Sequence, residues 1–242
     1  MAATAFPALT TTGIGLVVPY DFALDRELWR WTPDDVTLHL TRLPFAPLDV
    51  TVEMVTMLGD PDEIIAATRQ VITVEPTVVV YACTSGSFIG GRDGEHAIRE
   101  AVRSAGAPAA VTTSGALVGA LDHLGVDRVA IATPYTHDIT EALRAFLSAT
   151  GRSVVGVSDL NMEAAIWTLQ YEAVADLVRA ADHPDAEAIV ISCTNVPTYD
   201  LIAPLEAELG KPIVTANQVT MWAALRLAGH RAVGKGQRLL EA

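Results

Sequence analysis

The sequence predicts an α/β protein made of two pseudo-equivalent lobes, each a parallel sheet flanked by helices, with a site in the cleft between them. Runs of β-branched residues alternate with longer amphipathic segments along the whole chain. The two halves carry the same landmarks in the same order. The only two cysteines, Cys83 and Cys193, close equivalent apolar runs and open matching motifs, Cys83-Thr84-Ser85 and Cys193-Thr194-Asn195.

Strands are expected at 13–18, 36–43, 77–83 and 109–112 in the first half, and at 128–132, 153–157, 188–193 and 212–215 in the second. Val78-Val79-Val80-Tyr81 and Ala188-Ile189-Val190-Ile191 are apolar on both faces, as strands buried inside a parallel sheet must be. Helical periodicity falls at 62–71, 95–104, 114–124, 140–149, 162–180, 201–209 and 218–228. Val18-Pro19-Tyr20-Asp21 leaves the first strand as Thr133-Pro134-Tyr135-Thr136 leaves the fifth, and an acidic helix start follows each. After each cysteine, a Gly-x-Pro (Gly106 to Pro108; Gly210 to Pro212) opens a strand, a polar cluster follows, and an apolar helix stops at Gly125 or Gly229. Glycine suits a helix C-cap and proline a strand start. The lobes are expected at 1–115 and 116–242, with a terminal segment swapping back.

Composition narrows the function. Half of the 242 residues are hydrophobic and 19% are charged, which suits a packed core. A formal charge of −13 disfavours nucleic acid and anionic membranes as partners. No apolar run approaches the roughly 20 residues of a membrane span, and the first residues lack the pattern of a signal peptide. Two cysteines do not make a disulfide framework. A cytoplasmic protein with reduced thiols is expected.

Two thiols placed equivalently suit a reaction that moves a proton from one face of a carbon to the other. Cysteine serves as base, acid or nucleophile once a helix N-terminus or donor-rich loop lowers its pKa. Thr84, Ser85, Thr194, Asn195 and their backbone N–H groups are positioned to cradle a carboxylate and an enediolate. Cofactor chemistry finds little support. Lys211 and Lys235, the only lysines, sit in no pocket context, and no glycine run has a dinucleotide or phosphate-loop ending. The six histidines carry no ligand spacing, so no metal is expected; His137, next to the Tyr135 loop, is the one placed near the cleft.

With these residues in view, the chain resembles the aspartate/glutamate racemase superfamily, and within it the branch holding maleate cis-trans isomerases and arylmalonate decarboxylases. The resemblance rests on the Val-Pro loop after the first strand, the Cys-Thr-Ser, the Thr-Pro-Tyr, the Ser-Cys-Thr-Asn, and the stretch from Trp222 to Gly229. It implies two Rossmann-like lobes with no cofactor and Cys83 and Cys193 as the catalytic pair. It further implies that Tyr135 and Asn161 contact the substrate, that Thr84, Ser85 and Thr194 form oxyanion loops, and that the chain is a dimer. The decarboxylase branch carries glycine where this chain has Cys83, which favours a two-cysteine isomerase or racemase of a small carboxylic acid. A decarboxylase using Cys193 as proton donor is the alternative, and a non-enzymatic binding module is a third reading. The first loop departs from the maleate isomerases: Pro19, Tyr20 and Asp21 make that substrate subsite larger and partly acidic. Asp21 is expected first to cap the next helix and second to meet a substrate amino or hydroxyl group. Trp29 and Trp31 are read as packing residues.

Overall fold

The structure is a computed structural model that describes residues 11–242; the first ten residues of the expected N-terminal lobe lie outside them. The β-branched runs form β1 (Thr12–Val18), β2 (Val36–Arg42), β3 (Val78–Tyr81), β4 (Ala110–Thr112), β5 (Arg128–Thr133), β6 (Ser153–Asp159), β7 (Ala188–Ile191) and β8 (Ile213–Thr215). They make two four-stranded sheets of identical topology, β2-β1-β3-β4 and β6-β5-β7-β8, and every pairing is parallel. The second sheet repeats the first, strand for strand. Central strands β3 and β7 are buried throughout, because helices cover both faces.

The helices are α1 (Asp25–Arg30), α2 (Val52–Leu58), α3 (Pro61–Val71), α4 (Thr84–Phe88), α5 (Gly91–Ser104), α6 (Thr113–Leu124), α7 (His137–Ala149), α8 (Tyr171–Ala181), α9 (Ile202–Leu209), α10 (Ala216–Leu227) and α11 (Arg238–Glu241). Local chemistry fixes their starts. Asp60 caps α3 ahead of Pro61, while Thr112 and Thr215 cap the equivalent helices α6 and α10. Those two helices pack on each other, with the Thr113 and Thr220 hydroxyls 2.8 Å apart, and α10 also lies against β3 and β4 of the first sheet.

The expected helix over 162–180 is shorter at its start: α8 begins at Tyr171. Asn161 and Ala165 adopt positive φ (50° and 54°), which a continuing helix forbids. Segment 160–170 is therefore an irregular crossing strap with a single 3-10 turn at Ile166–Thr168. Its start is tied down where Asn161 N–H donates to the Tyr135 carbonyl and Met162 N–H to the Pro134 carbonyl. The Glu163 carbonyl accepts from Val50 N–H at 2.7 Å, so the strap meets segment 44–51 of the first half. Trp31 is fully buried, as expected, with its indole donating to Gln237 Oε1, but Trp29 is exposed.

Candidate active site

The two cysteines stand two residues past the ends of equivalent strands. The last ladder bonds match: Ala82 N–H donates to Val17 O at 2.8 Å, and Ser192 N–H to Ala132 O at 3.0 Å. The strands were expected to run through both cysteines. They stop earlier because each chain turns at once into a loop or helix. Cys83 is the N-cap residue of α4, a helix whose Thr-Ser-Gly-Ser sequence reads as a turn. Ser87 holds that turn, with its hydroxyl 2.7 Å from Cys83 O and 2.6 Å from the Ser114 hydroxyl. Cys193 has φ 92°, a conformation that costs a non-glycine residue of order 1–3 kcal/mol. Strain of that kind persists only where the surroundings impose it. Here Asn195 N–H points at Cys193 Sγ (3.4 Å), and buried Asn217 donates to Thr194 O at 3.0 Å. Asn217 also donates at 2.6 Å to the buried Glu27 carboxylate, which takes the Thr198 and Tyr199 N–H groups at 2.6 Å as well. One carboxylate on α1 of the first half thus anchors the cysteine loop of the second.

Both thiols line one cavity. Its water-accessible volume is about 30 Å³, room for about two waters. Pro19, Asp21, Thr84, Ser85, Tyr135, Thr194 and Asn195, all singled out in the sequence, also line it. Val50, Met54, Leu58 and Ile166 supply an apolar wall that sequence reasoning missed. Tyr20 and Asn161 are not among the lining residues. The Tyr20 hydroxyl donates to Leu48 O at 3.3 Å while its ring meets Phe45 edge-on, and both contacts turn it from the cavity. Asn161, at positive φ, borders a separate surface groove with Thr51, His137 and Glu163. His137 is exposed there too, 3.6 Å from Asp159. A larger groove of about 640 Å³, bordered by Arg92, Arg99 and Arg152, holds neither thiol.

The donors around the thiols are specific. The Thr84 hydroxyl is buried without a hydrogen-bond partner, so it stands free for a ligand oxygen. Ser85 Oγ lies 4.0 Å from Cys83 Sγ. The buried Tyr135 hydroxyl accepts from Ser192 Oγ at 3.4 Å. Asn195 spends its amide bridging the halves: Oδ1 accepts from Ala23 N–H at 2.9 Å, and Nδ2 donates to Asp21 Oδ2 at 3.2 Å. Asp21 is not a helix cap, since Leu24 occupies the N-cap of α1 without any side-chain bond. It is the one lining residue with a formal charge; no Lys, Arg or His lines the cavity.

Thiols of lowered pKa were expected here, and the opposite holds. Burial pushes Cys83 up to about 11, against opposing hydrogen bonds from the Gly86 backbone, Tyr81 and Ser85. Burial pushes Cys193 up to about 12, against Asn195 N–H and Tyr135. The Asp21 carboxylate adds to both rises. Desolvation outweighs the donors, so both resting cysteines are neutral thiols. Burial also raises the pKa of Asp21.

Gly86 permits this packing. A Cβ there would overlap the Tyr81 hydroxyl, which is fixed by its 2.7 Å bond to Leu58 O, and would stand 3.1 Å from Cys83 Sγ. Gly86→Ala is expected to cost about 1–3 kcal/mol of stability, readable as a lowered denaturation midpoint, and to displace Cys83. An unchanged midpoint would show that α4 yields freely.

Among the described residues, no three of His, Cys, Asp and Glu gather as a metal site, and no helix is long and apolar enough to cross a membrane.

Comparison with known proteins fits this geometry. Residues 56–240 match the family model described as arylmalonate decarboxylase. The chain belongs to that family. It is 32% identical to the arylmalonate decarboxylase of Bordetella bronchiseptica over 230 residues, covering 91% of this chain and 92% of the relative. It is 31% identical to a maleate isomerase of Nocardia farcinica, covering 88% of each. Among solved structures, it superposes with TM-score 0.88 on a liganded arylmalonate decarboxylase carrying glycine-to-cysteine and cysteine-to-serine substitutions; that pair is 30% identical over 96% of this chain and 99% of the other. A cysteine-to-serine mutant of the Nocardia farcinica maleate cis-trans isomerase, with a covalently bound succinylcysteine intermediate, gives TM-score 0.87 at 25% identity, over 96% and 99% of the chains. The chain is an enzyme of the aspartate/glutamate racemase superfamily, in the branch that holds maleate isomerases and arylmalonate decarboxylases.

Proposed function

We propose that this enzyme isomerises a small unsaturated carboxylic acid by a two-cysteine mechanism without a cofactor, with Cys83 as nucleophile and Cys193 as the opposing acid. The observation that carries the proposal is that both thiols, from equivalent loops of the two halves, line one cavity beside a buried, unpartnered hydroxyl at Thr84. The succinylcysteine on a maleate isomerase mutant of the same fold supports covalent addition at a cysteine.

The steps balance. Cys83 releases its proton to water and its thiolate forms a C–S bond to the alkene, while the π pair moves onto the adjacent carbon and its carboxylate. Thr84, Ser85, Tyr135 and the N–H groups around Thr194 stabilise the resulting enediolate. Cys193 S–H protonates that carbon, the new single bond rotates, and the Cys193 thiolate takes the proton back as Cys83 leaves. The product is the trans alkene, with every atom conserved.

A Cys193-only decarboxylase is the second reading, favoured by the apolar wall of Val50, Met54, Leu58 and Ile166, which suits an aryl group. Incubating the enzyme with maleate, its half-amide maleamate and a phenyl-substituted malonate, followed by proton NMR and CO₂ release, separates the readings. Trans alkene without CO₂ is the expected result. CO₂ from the malonate with no alkene isomerised would replace this proposal with the second.

A further inference from the structure

We infer that Asp21 makes this site select a substrate with one carboxylate and, at its other end, an N–H-donating group such as an ammonium or a carboxamide, in place of a second carboxylate. This deepens the isomerase reading above and rests on it.

Three observations carry the inference. Asp21 is released from the helix-capping role its sequence position suggests, because Leu24 occupies the α1 N-cap. Its carboxylate is held in place rather than swinging free: Asn195 donates to Oδ2 at 3.2 Å and is itself fixed by Ala23 N–H. No cation balances it within the cavity. The Arg42 guanidinium, outside the lining, favours the ionised form of Asp21 through space, but its hydrogen bonds go to Phe22 O (2.5 Å) and Asp25 (3.3 Å).

A dicarboxylate would set one of its charges against Asp21 in a small cavity that no cation lines, where like-charge contact is unfavourable. An N–H donor would instead gain a charge-assisted hydrogen bond. The Thr84 hydroxyl and the α4 turn remain for the single carboxylate. An ammonium would also offset the Asp21 charge that opposes ionisation of both thiols.

The test compares maleate with maleamate as substrates, and their saturated, unreactive counterparts succinate and succinamate as ligands by calorimetry, in wild type and Asp21→Asn. Wild type is expected to bind succinamate at least about tenfold more tightly than succinate and to favour maleamate in kcat/KM by a similar factor. Asp21→Asn keeps the side chain's shape and an acceptor for Asn195; it is expected to bring both ratios near unity, mainly by improving the dicarboxylate. Equal or better binding of succinate by wild type, or ratios unmoved in Asp21→Asn, would overturn the inference. Because binding needs no chemistry, the two levels separate. The expected binding ratios with no alkene turned over would sink the isomerase reading and leave the subsite standing. Maleate isomerised as well as maleamate would do the reverse. The wild-type binding ratio decides even if the variant fails to fold.

Discussion

Cys83→Ala and Cys193→Ala are each expected to lower kcat for isomerisation by at least about a thousandfold. Losing Cys83 removes the atom that bonds to the alkene, and nothing else in the cavity replaces it: Ser85 is a hydroxyl without a neighbouring base, and the Tyr135 hydroxyl is pushed well above its ordinary pKa by burial. Losing Cys193 removes the proposed proton donor, and the only other titratable groups lining the cavity are Asp21 and Tyr135. Both substitutions remove little volume, so stability should change far less than activity. Far-ultraviolet circular dichroism and the denaturation midpoint check that separation. If Cys83→Ala retained its rate while releasing CO₂ from a malonate, Cys83 would be dispensable and the decarboxylase reading would stand.

The second large effect is on thiol reactivity. An ordinary thiol here would titrate at 9.0, while burial carries Cys83 to about 11 and Cys193 to about 12. Each pKa unit is a factor of ten in thiolate, so alkylation of Cys83 by iodoacetamide near neutral pH is expected to be slower than that of a model thiol by roughly a hundredfold. The rate should then climb tenfold per pH unit until about pH 11. Stability follows with a definite sign. A thiol whose folded pKa is raised holds its proton more tightly in the folded state. Its contribution is complete below pH 9 and is lost as pH rises through about 11 and 12. The Cys83→Ala/Cys193→Ala double variant should therefore lose less stability than wild type across that alkaline range. Alkylation as fast as a free thiol at pH 7.5 would mean the empty site already stabilises a thiolate.

Much of this was legible in the sequence. Strands declared themselves because the middle of a parallel sheet admits little but β-branched and apolar residues, as in Val78–Tyr81 and Ala188–Ile191. The internal repeat exposed the pairing of the two cysteines, because the same strand ending recurs in both halves. The apolar wall was hidden for the opposite reason. Val50 lies in an irregular segment, and Ile166 sits in a stretch whose periodicity reads as helix but which forms the strap ahead of α8; their two segments meet through a long-range hydrogen bond between Val50 N–H and Glu163 O. That Asn161 borders a separate groove was not legible, because sequence shows adjacency to a strand end but not the sign of φ. The thiol pKa values went the other way because donors are visible in a motif, whereas the desolvation that overrides them belongs to the closed fold. Asp21 looked like a helix cap by its distance from α1, and only the observed start at Asp25 frees it for the cavity.

In the proposed mechanism one bound molecule meets both sulfurs, Cys83 by bonding and Cys193 by proton transfer. Peptide-resolved mass spectrometry of Cys193→Ala after incubation with maleamate, and with maleate in parallel, decides whether it does. An adduct of one substrate mass is expected on Cys83 and nowhere else. An unmodified Cys83, in a preparation whose wild-type counterpart turns the same substrate over, would contradict it.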